Sequence, residues 1–142
     1  LTNTLPPPVV VENAVVDGVG ASEVVVRGNF IHDNNGSGVF FKGGSSSILI
    51  DGNVVARIRG NSAIKLGGDT GPEYFDPKHP DVEGVDQVVR NNFVADCDDS
   101  VFEIRGVRRG WIYHNTVVTQ TDFAVFRFQN GRSASATAAH TW

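Results

Sequence analysis

The sequence has a single cysteine, Cys97, so no disulfide can close within the chain, and neither a Cys-x-x-C pair nor a His/Cys cluster points to zinc. No run approaches the roughly 18 consecutive apolar residues of a membrane-spanning helix. The opening stretch, LTNTLPPPVVV, has neither the basic nor the apolar segment of a secretory leader, so no signal peptide is legible. Basic charge is not in excess: 12 Lys and Arg against 16 Asp and Glu leave a net charge of −4. With no basic stripe, nucleic acid is not an expected partner, and neither is a membrane. Nowhere are apolar residues sustained at the three-and-four spacing of a helix, which excludes a helix-dominated fold.

What the chain does have is one pattern written more than once. Val24 to Gly44 reads VVVRGNFIHDNNGSGVFFKGG, and Ile48 to Gly68 reads ILIDGNVVARIRGNSAIKLGG. Aligned, Asn29 falls on Asn53, Val26 on Ile50, Ile31 on Val55 and Gly43-Gly44 on Gly67-Gly68, each pair 24 positions apart. VVRNNFVADCDDSVFEIRG then supplies Asn92, and WIYHNTVVTQTDFAVFRFQ supplies Asn115, 23 positions later. The step of 39 from Asn53 to Asn92 leaves room for an insertion in one repeat.

Apolar residues alternate inside each copy, so the repeats are built of short strands. A period of 23 or 24 with Asn and Gly at the corners fits one coil of a parallel β-helix, in which coils stack about 4.8 Å apart and equivalent residues form columns. A buried amide has donors and an acceptor that an identical neighbour can satisfy, so Asn29, Asn53, Asn92 and Asn115 are expected to form a ladder. The fold expected is all-β, a solenoid of about four or five coils in a single domain spanning residues 1–142. Residues 1–21 are a lead-in with an irregular first turn, 22–130 the regular coils, and 131–142 a tail. Inward positions are Val24, Val26, Ile31, Val39 and Phe41, then Ile48, Ile50, Val55, Ile64 and Leu66. Val89, Val94, Phe102 and Ile104 follow, then Ile112, Val117, Phe126 and Phe128. Asn34 to Gly38 is expected as a turn.

Residues 69–84, DTGPEYFDPKHPDVEG, break the period with three prolines and must leave the rod as a long loop. Tyr74 and Phe75 in it offer rings for stacking on a sugar, and His79 is the histidine placed best for chemistry.

The stretches GSGVFFKGGSSSILIDGN, SAIKLGGDTG, VVRNNFVADCDDSVFEIRG and IYHNTVV resemble right-handed parallel β-helix proteins of the pectate-lyase-like superfamily, with repeats of the PbH1 type, over roughly residues 22 to 130. The resemblance implies a right-handed coil, a secreted or extracytoplasmic bacterial setting and an acidic polysaccharide as partner. It does not specify a reaction, because the superfamily includes lyases, hydrolases and epimerases.

Strand alternation puts Phe40, Lys65, Glu103 and Arg127 in one outward row, and Lys42, Gly67, Arg105 and Gln129 in the next. A lyase acting on uronic acids needs a cation against the sugar carboxylate and a base for the C5 proton. Under that reading Lys65 or Arg105 is the base, Arg127 and Lys42 bind carboxylates, and Glu103 with Asp69 or Asp76 holds Ca²⁺. Catalytic candidates are thus Lys65, Glu103, Arg105 and Arg127. Substrate-binding candidates are Lys42, Tyr74, Phe75 and His79, with Asp69 and Asp76 for a metal. Asp96, Asp98 and Asp99 crowd one turn, where Asp is favoured in any case. The competing reading makes the row an exposed cross-strand salt ladder and the protein a non-catalytic structural or glycan-binding module of a larger extracellular protein.

Overall fold

Short alternating segments with a corner residue every six or seven positions can bury their apolar side chains only by stacking on further copies of themselves. The computed structural model, which describes residues 14–118 and 123–131, does this with twelve strands. In chain order they are β1 Ala14–Val19, β2 Ser22–Arg27, β3 Phe30–Lys42, β4 Ser45–Asp51, β5 Val54–Gly60 and β6 Ile64–Gly67. They continue as β7 Gly84–Arg90, β8 Phe93–Ala95, β9 Phe102–Arg105, β10 Val107–Tyr113, β11 Thr116–Val118 and β12 Phe126–Gln129. The only helix among the described residues is a single 3₁₀ turn, Pro72–Tyr74.

Every strand pairing is parallel, and the pairings make three faces. Sheet A stacks β1, the second half of β3, β6, β9 and β12. Sheet B stacks β2, β4, β7 and β10. Sheet C stacks the first half of β3, β5, β8 and β11. The chain is therefore a parallel β-solenoid of four coils with β1 stacked ahead of them. Regular stacking reaches back to Ala14, which pairs with Ser37, so the spacing starts earlier than residue 22. The expected turn at Asn34 to Gly38 is instead a bend inside the continuous strand β3, which crosses from sheet C to sheet A with Gly36 at φ 144°.

The core is a single column of apolar side chains. Val26, Ile31, Val39, Phe41, Ile48, Ile50, Val55, Ile64, Leu66, Val89, Val94, Phe102 and Ile104 are all buried in one cluster, as the alternation predicts. Burying each contributes roughly 1.5–3 kcal/mol. The fourth coil differs: Phe126, directly under the buried Phe102, is 42% exposed. Among the described residues it has a neighbouring coil on one side only.

The asparagine ladder forms. Asn29 Nδ2 donates to Asn53 Oδ1 at 3.0 Å, Asn53 Nδ2 to Asn92 Oδ1 at 2.9 Å, and Asn92 Nδ2 to Asn115 Oδ1 at 3.0 Å. Each of these carbonyls also accepts the backbone N–H of the preceding rung. The residue before each rung, Gly28, Gly52, Asn91 or His114, sits at φ between 52° and 67°. Glycine and asparagine take this left-handed conformation at least cost, and it turns the chain from sheet B into sheet C.

Candidate functional site

Sheet A carries the charged rows. Its register stacks Asp17, Phe40, Lys65, Glu103 and Arg127 in one row, as strand alternation requires. The row is not an exposed ladder, however. Phe40 is 0% exposed, and Lys65 and Glu103 are 3% exposed each. Lys65 Nζ lies 3.9 Å from Glu103 Oε1 and 4.6 Å from the centre of the Phe40 ring. Glu103 also accepts a 2.8 Å hydrogen bond from the Ser62 hydroxyl and stands 3.9 Å from Arg127 Nη1. Arg127 stays partly open and lies over the Phe123 ring at 5.0 Å. The expected exposure of this row is thereby corrected at Phe40, Lys65 and Glu103. A charge removed from water needs a partner, and Lys65 and Glu103 supply one another's.

The edge of sheet A is different. Lys42, the last residue of β3, is half-buried, and its Nζ lies 4.4 Å from the centre of the Phe40 ring, close enough for a cation–π contact. Beside it the chain leaves the rod after Gly67 and returns at Gly84. The inserted loop is seated by a carboxylate that period-based reading passes over. Glu83, 0% exposed, accepts the N–H of Gly43 at 2.9 Å, the N–H of Thr70 at 2.8 Å and the hydroxyl of Thr70 at 2.7 Å. The loop also donates Asp76 N–H to the Gly43 carbonyl at 2.9 Å. Gly44, at φ 80°, is held so close that a Cβ there would stand 2.7 Å from the His79 carbonyl oxygen. The two glycines of the Lys-Gly-Gly-Ser corner are thus the surface on which the insertion rests.

Between the loop and the edge of sheet A lies an open cleft of about 370 Å³, lined by Val19, Lys42, Asp69, Thr70, Gly71 and Tyr74. Tyr74 is 65% exposed. The chain is a parallel β-solenoid. Comparison with protein-family models, with curated proteins and with solved structures finds no match. The fold is therefore what the observations establish about its kinship, and the chemistry of this solenoid rests on its own residues.

The structure brings together Lys42, Tyr74 and Asp69 from the sequence-derived candidates. Arg105 reaches the same corner by holding Asp69, Nη1 to Oδ2, at 2.6 Å. Phe75 and His79 are half-buried in the loop and do not line the cleft. Asp76 is engaged locally, its Oδ1 accepting the Lys78 N–H at 3.0 Å. A Ca²⁺ ion takes six to eight oxygens. With Asp69 bound to Arg105, Asp76 closing its own turn and Glu103 paired inside the row, these carboxylates do not fit such an ion. No group of three or more His, Cys, Asp or Glu side chains among the described residues could hold a metal. The Asp96 to Asp99 turn is likewise tied down: Asp96 pairs with Arg59 at 3.0 Å, and Asp98 accepts the Gly60 N–H at 2.7 Å. Cys97 is buried, and burial pushes its thiol up, away from the reactive thiolate.

Val19, Thr70, Gly71 and Glu83 are the site residues that sequence reasoning missed. Glu83 and Thr70 lie outside the repeat, where no column reports a residue's position. Val19 belongs to β1, ahead of the region in which the period was read.

Proposed function

We propose that this β-solenoid binds an acidic saccharide in the cleft between its insertion and the edge of sheet A, and that it binds without cleaving. The observation that carries the reading is the meeting of Lys42 and Tyr74 in one open cleft. An ammonium group and an exposed phenol ring are what a sugar carboxylate and the apolar face of a sugar ring require. About 370 Å³ is within the range of small-molecule sites, and it suits one or about two sugar rings. Lys42 is the cation lining the cleft, and Asp69, the carboxylate lining it, is held by Arg105. The seating of the loop by Glu83 supports the same reading, because a pre-formed wall spares a ligand the cost of ordering it.

Binding is favoured over lyase chemistry by the state of the bases. A general base must come within about 3 Å of the proton that it removes. Lys65 lies beneath the surface beside Glu103, and Arg105 is committed to Asp69. The proposal thus takes the form of a glycan-binding module, with an extracytoplasmic setting as its natural place.

The test is a titration by calorimetry with galacturonate and alginate oligosaccharides, with neutral oligosaccharides of the same length for comparison. Lys42→Ala is expected to weaken binding of the acidic oligosaccharides about tenfold, and Tyr74→Ala by a similar factor. Ultraviolet absorbance of unsaturated products should not rise. Unchanged affinity in both variants sinks the cleft, and accumulation of unsaturated product sinks the non-catalytic reading.

A further inference from the structure

The cleft beneath the insertion has two unlike walls. On the sheet side stands Lys42, which makes no ion pair among the described residues and whose Nζ lies 4.4 Å from the centre of the Phe40 ring. The neighbouring cations are committed: Lys65 stands beside buried Glu103, and Arg105 holds Asp69, the carboxylate that shares the lining. Thr70, also in the lining, gives both its N–H and its hydroxyl hydrogen to Glu83. Charge can therefore meet one ligand carboxylate in this cleft, at Lys42.

On the loop side the sign is reversed. Gly71, at the head of the 3₁₀ turn Pro72–Tyr74, lines the cleft, and Glu73 folds its carboxylate back over it. A Cβ on residue 71 would stand 2.9 Å from Glu73 Oε2 and 3.0 Å from Oε1, so a larger residue there would push the carboxylate away. Glu73 is exposed and, like Lys42, makes no ion pair among the described residues. Val19 and Tyr74 complete the lining with an isopropyl group and a ring.

A second carboxylate, on the sugar next to the one at Lys42, would lose its water against Val19 and Tyr74 and face Glu73 with no cation to receive it. A hydroxyl in the same place loses nothing, because it can donate to the Glu73 carboxylate.

We propose that Glu73 makes the cleft selective for an isolated carboxylate: one uronate at Lys42, joined to an uncharged sugar whose hydroxyls donate to Glu73. The inference rests on the acidic-saccharide reading above and narrows it to chains in which neutral sugars separate the uronates, as against unbroken polyuronates. Because Glu73 is in contact with water, the discrimination is a matter of a few-fold, and salt weakens it.

Digalacturonate with neither, one or both of its carboxyls methyl-esterified varies the charge on one skeleton, and calorimetry at low and physiological salt reads the result. The better of the two mono-esters should bind about threefold more tightly than the unesterified disaccharide, and the diester about tenfold more weakly than that mono-ester. Glu73→Gln should bring the unesterified disaccharide up to the level of the mono-ester, and Glu73→Lys should reverse their order. Both substitutions fall on an exposed side chain of the turn, and circular dichroism confirms that each variant is folded. An unesterified disaccharide that binds the wild type at least as tightly as either mono-ester overturns the selectivity and leaves the acidic-saccharide reading standing, as does a preference that neither substitution moves. A diester that binds as tightly as the mono-esters, or a failure of all three to bind, overturns that reading and this inference with it.

Discussion

Replacing Asn92 by alanine removes a buried rung whose side chain makes four hydrogen bonds. Its carbonyl accepts the N–H and the Nδ2–H of Asn53, both at 2.9 Å, and its amide donates to the Ile50 carbonyl and to Asn115 Oδ1, both at 3.0 Å. The residue is 2% exposed, so water cannot take over these partners without opening a coil. At about 1 kcal/mol net for each of the four bonds, the expected loss is about 4 kcal/mol. That is a large fraction of the 5–15 kcal/mol typical of a whole domain, and at about 3 °C per kcal/mol it lowers the melting temperature by roughly 12 °C. Asn29 is the internal control. Its side chain is exposed and only donates, to Arg27 O at 3.1 Å and Asn53 Oδ1 at 3.0 Å, so Asn29→Ala should cost about 1 kcal/mol. Equilibrium urea unfolding followed by far-ultraviolet circular dichroism measures both. Equal costs for the two substitutions would refute the idea that buried amide stacking, and not corner propensity alone, holds the coils together.

Two further predictions concern charge. Glu83→Gln keeps the size of the side chain but replaces one accepting oxygen by an NH₂, which then faces the Thr70 N–H or the Gly43 N–H and Thr70 hydroxyl, so it should cost about 2–3 kcal/mol. It should also raise hydrogen exchange across residues 69–83 and weaken saccharide binding, all measurable on one variant. Asp33 is held well below the usual carboxylate range by hydrogen bonds from Arg57, and Asp86 and Asp51 are lowered by hydrogen bonds from Arg109 and from Asn91 and Arg90. A carboxyl depressed in the folded state stabilises above its unfolded value, near 3.9, and that contribution is lost as pH falls further. Urea midpoints should therefore stay level from neutral pH down to about pH 4 and drop below it, and Arg57→Ala should flatten part of that drop.

The fold was legible because a β-solenoid states its geometry as arithmetic. Asn29, Asn53, Asn92 and Asn115 stack because 24, 39 and 23 residues separate equivalent points of successive coils, and offsets of 25, 38 and 24, each within one residue of these, put Phe40, Lys65, Glu103 and Arg127 in one row. What lies over a row has no period. Alternation says that Lys65 points away from the core, and it says nothing about whether water is there to meet it. Glu83 was illegible for a related reason: its partners, Gly43 and Thr70, lie 40 and 13 residues away across the loop, and no repeat relates them. The bend in β3 was missed because Asn, Gly and Ser favour turns locally, while pairing with β5 and β6 on its two halves keeps the strand continuous.

The amides of the ladder all face one way, each N–H toward the next coil and each carbonyl toward the previous one. At the two ends of the ladder among the described residues, a hydrogen turns to the chain's own backbone, Asn29 to Arg27 O and Asn115 to Tyr113 O. A rung thus makes the same contacts to a stacked rung wherever it has one, and falls back on its own backbone for the rest. Rod length is for that reason a quantity evolution can change by whole steps: duplicating or deleting a coil that carries its own asparagine leaves every remaining junction as it was.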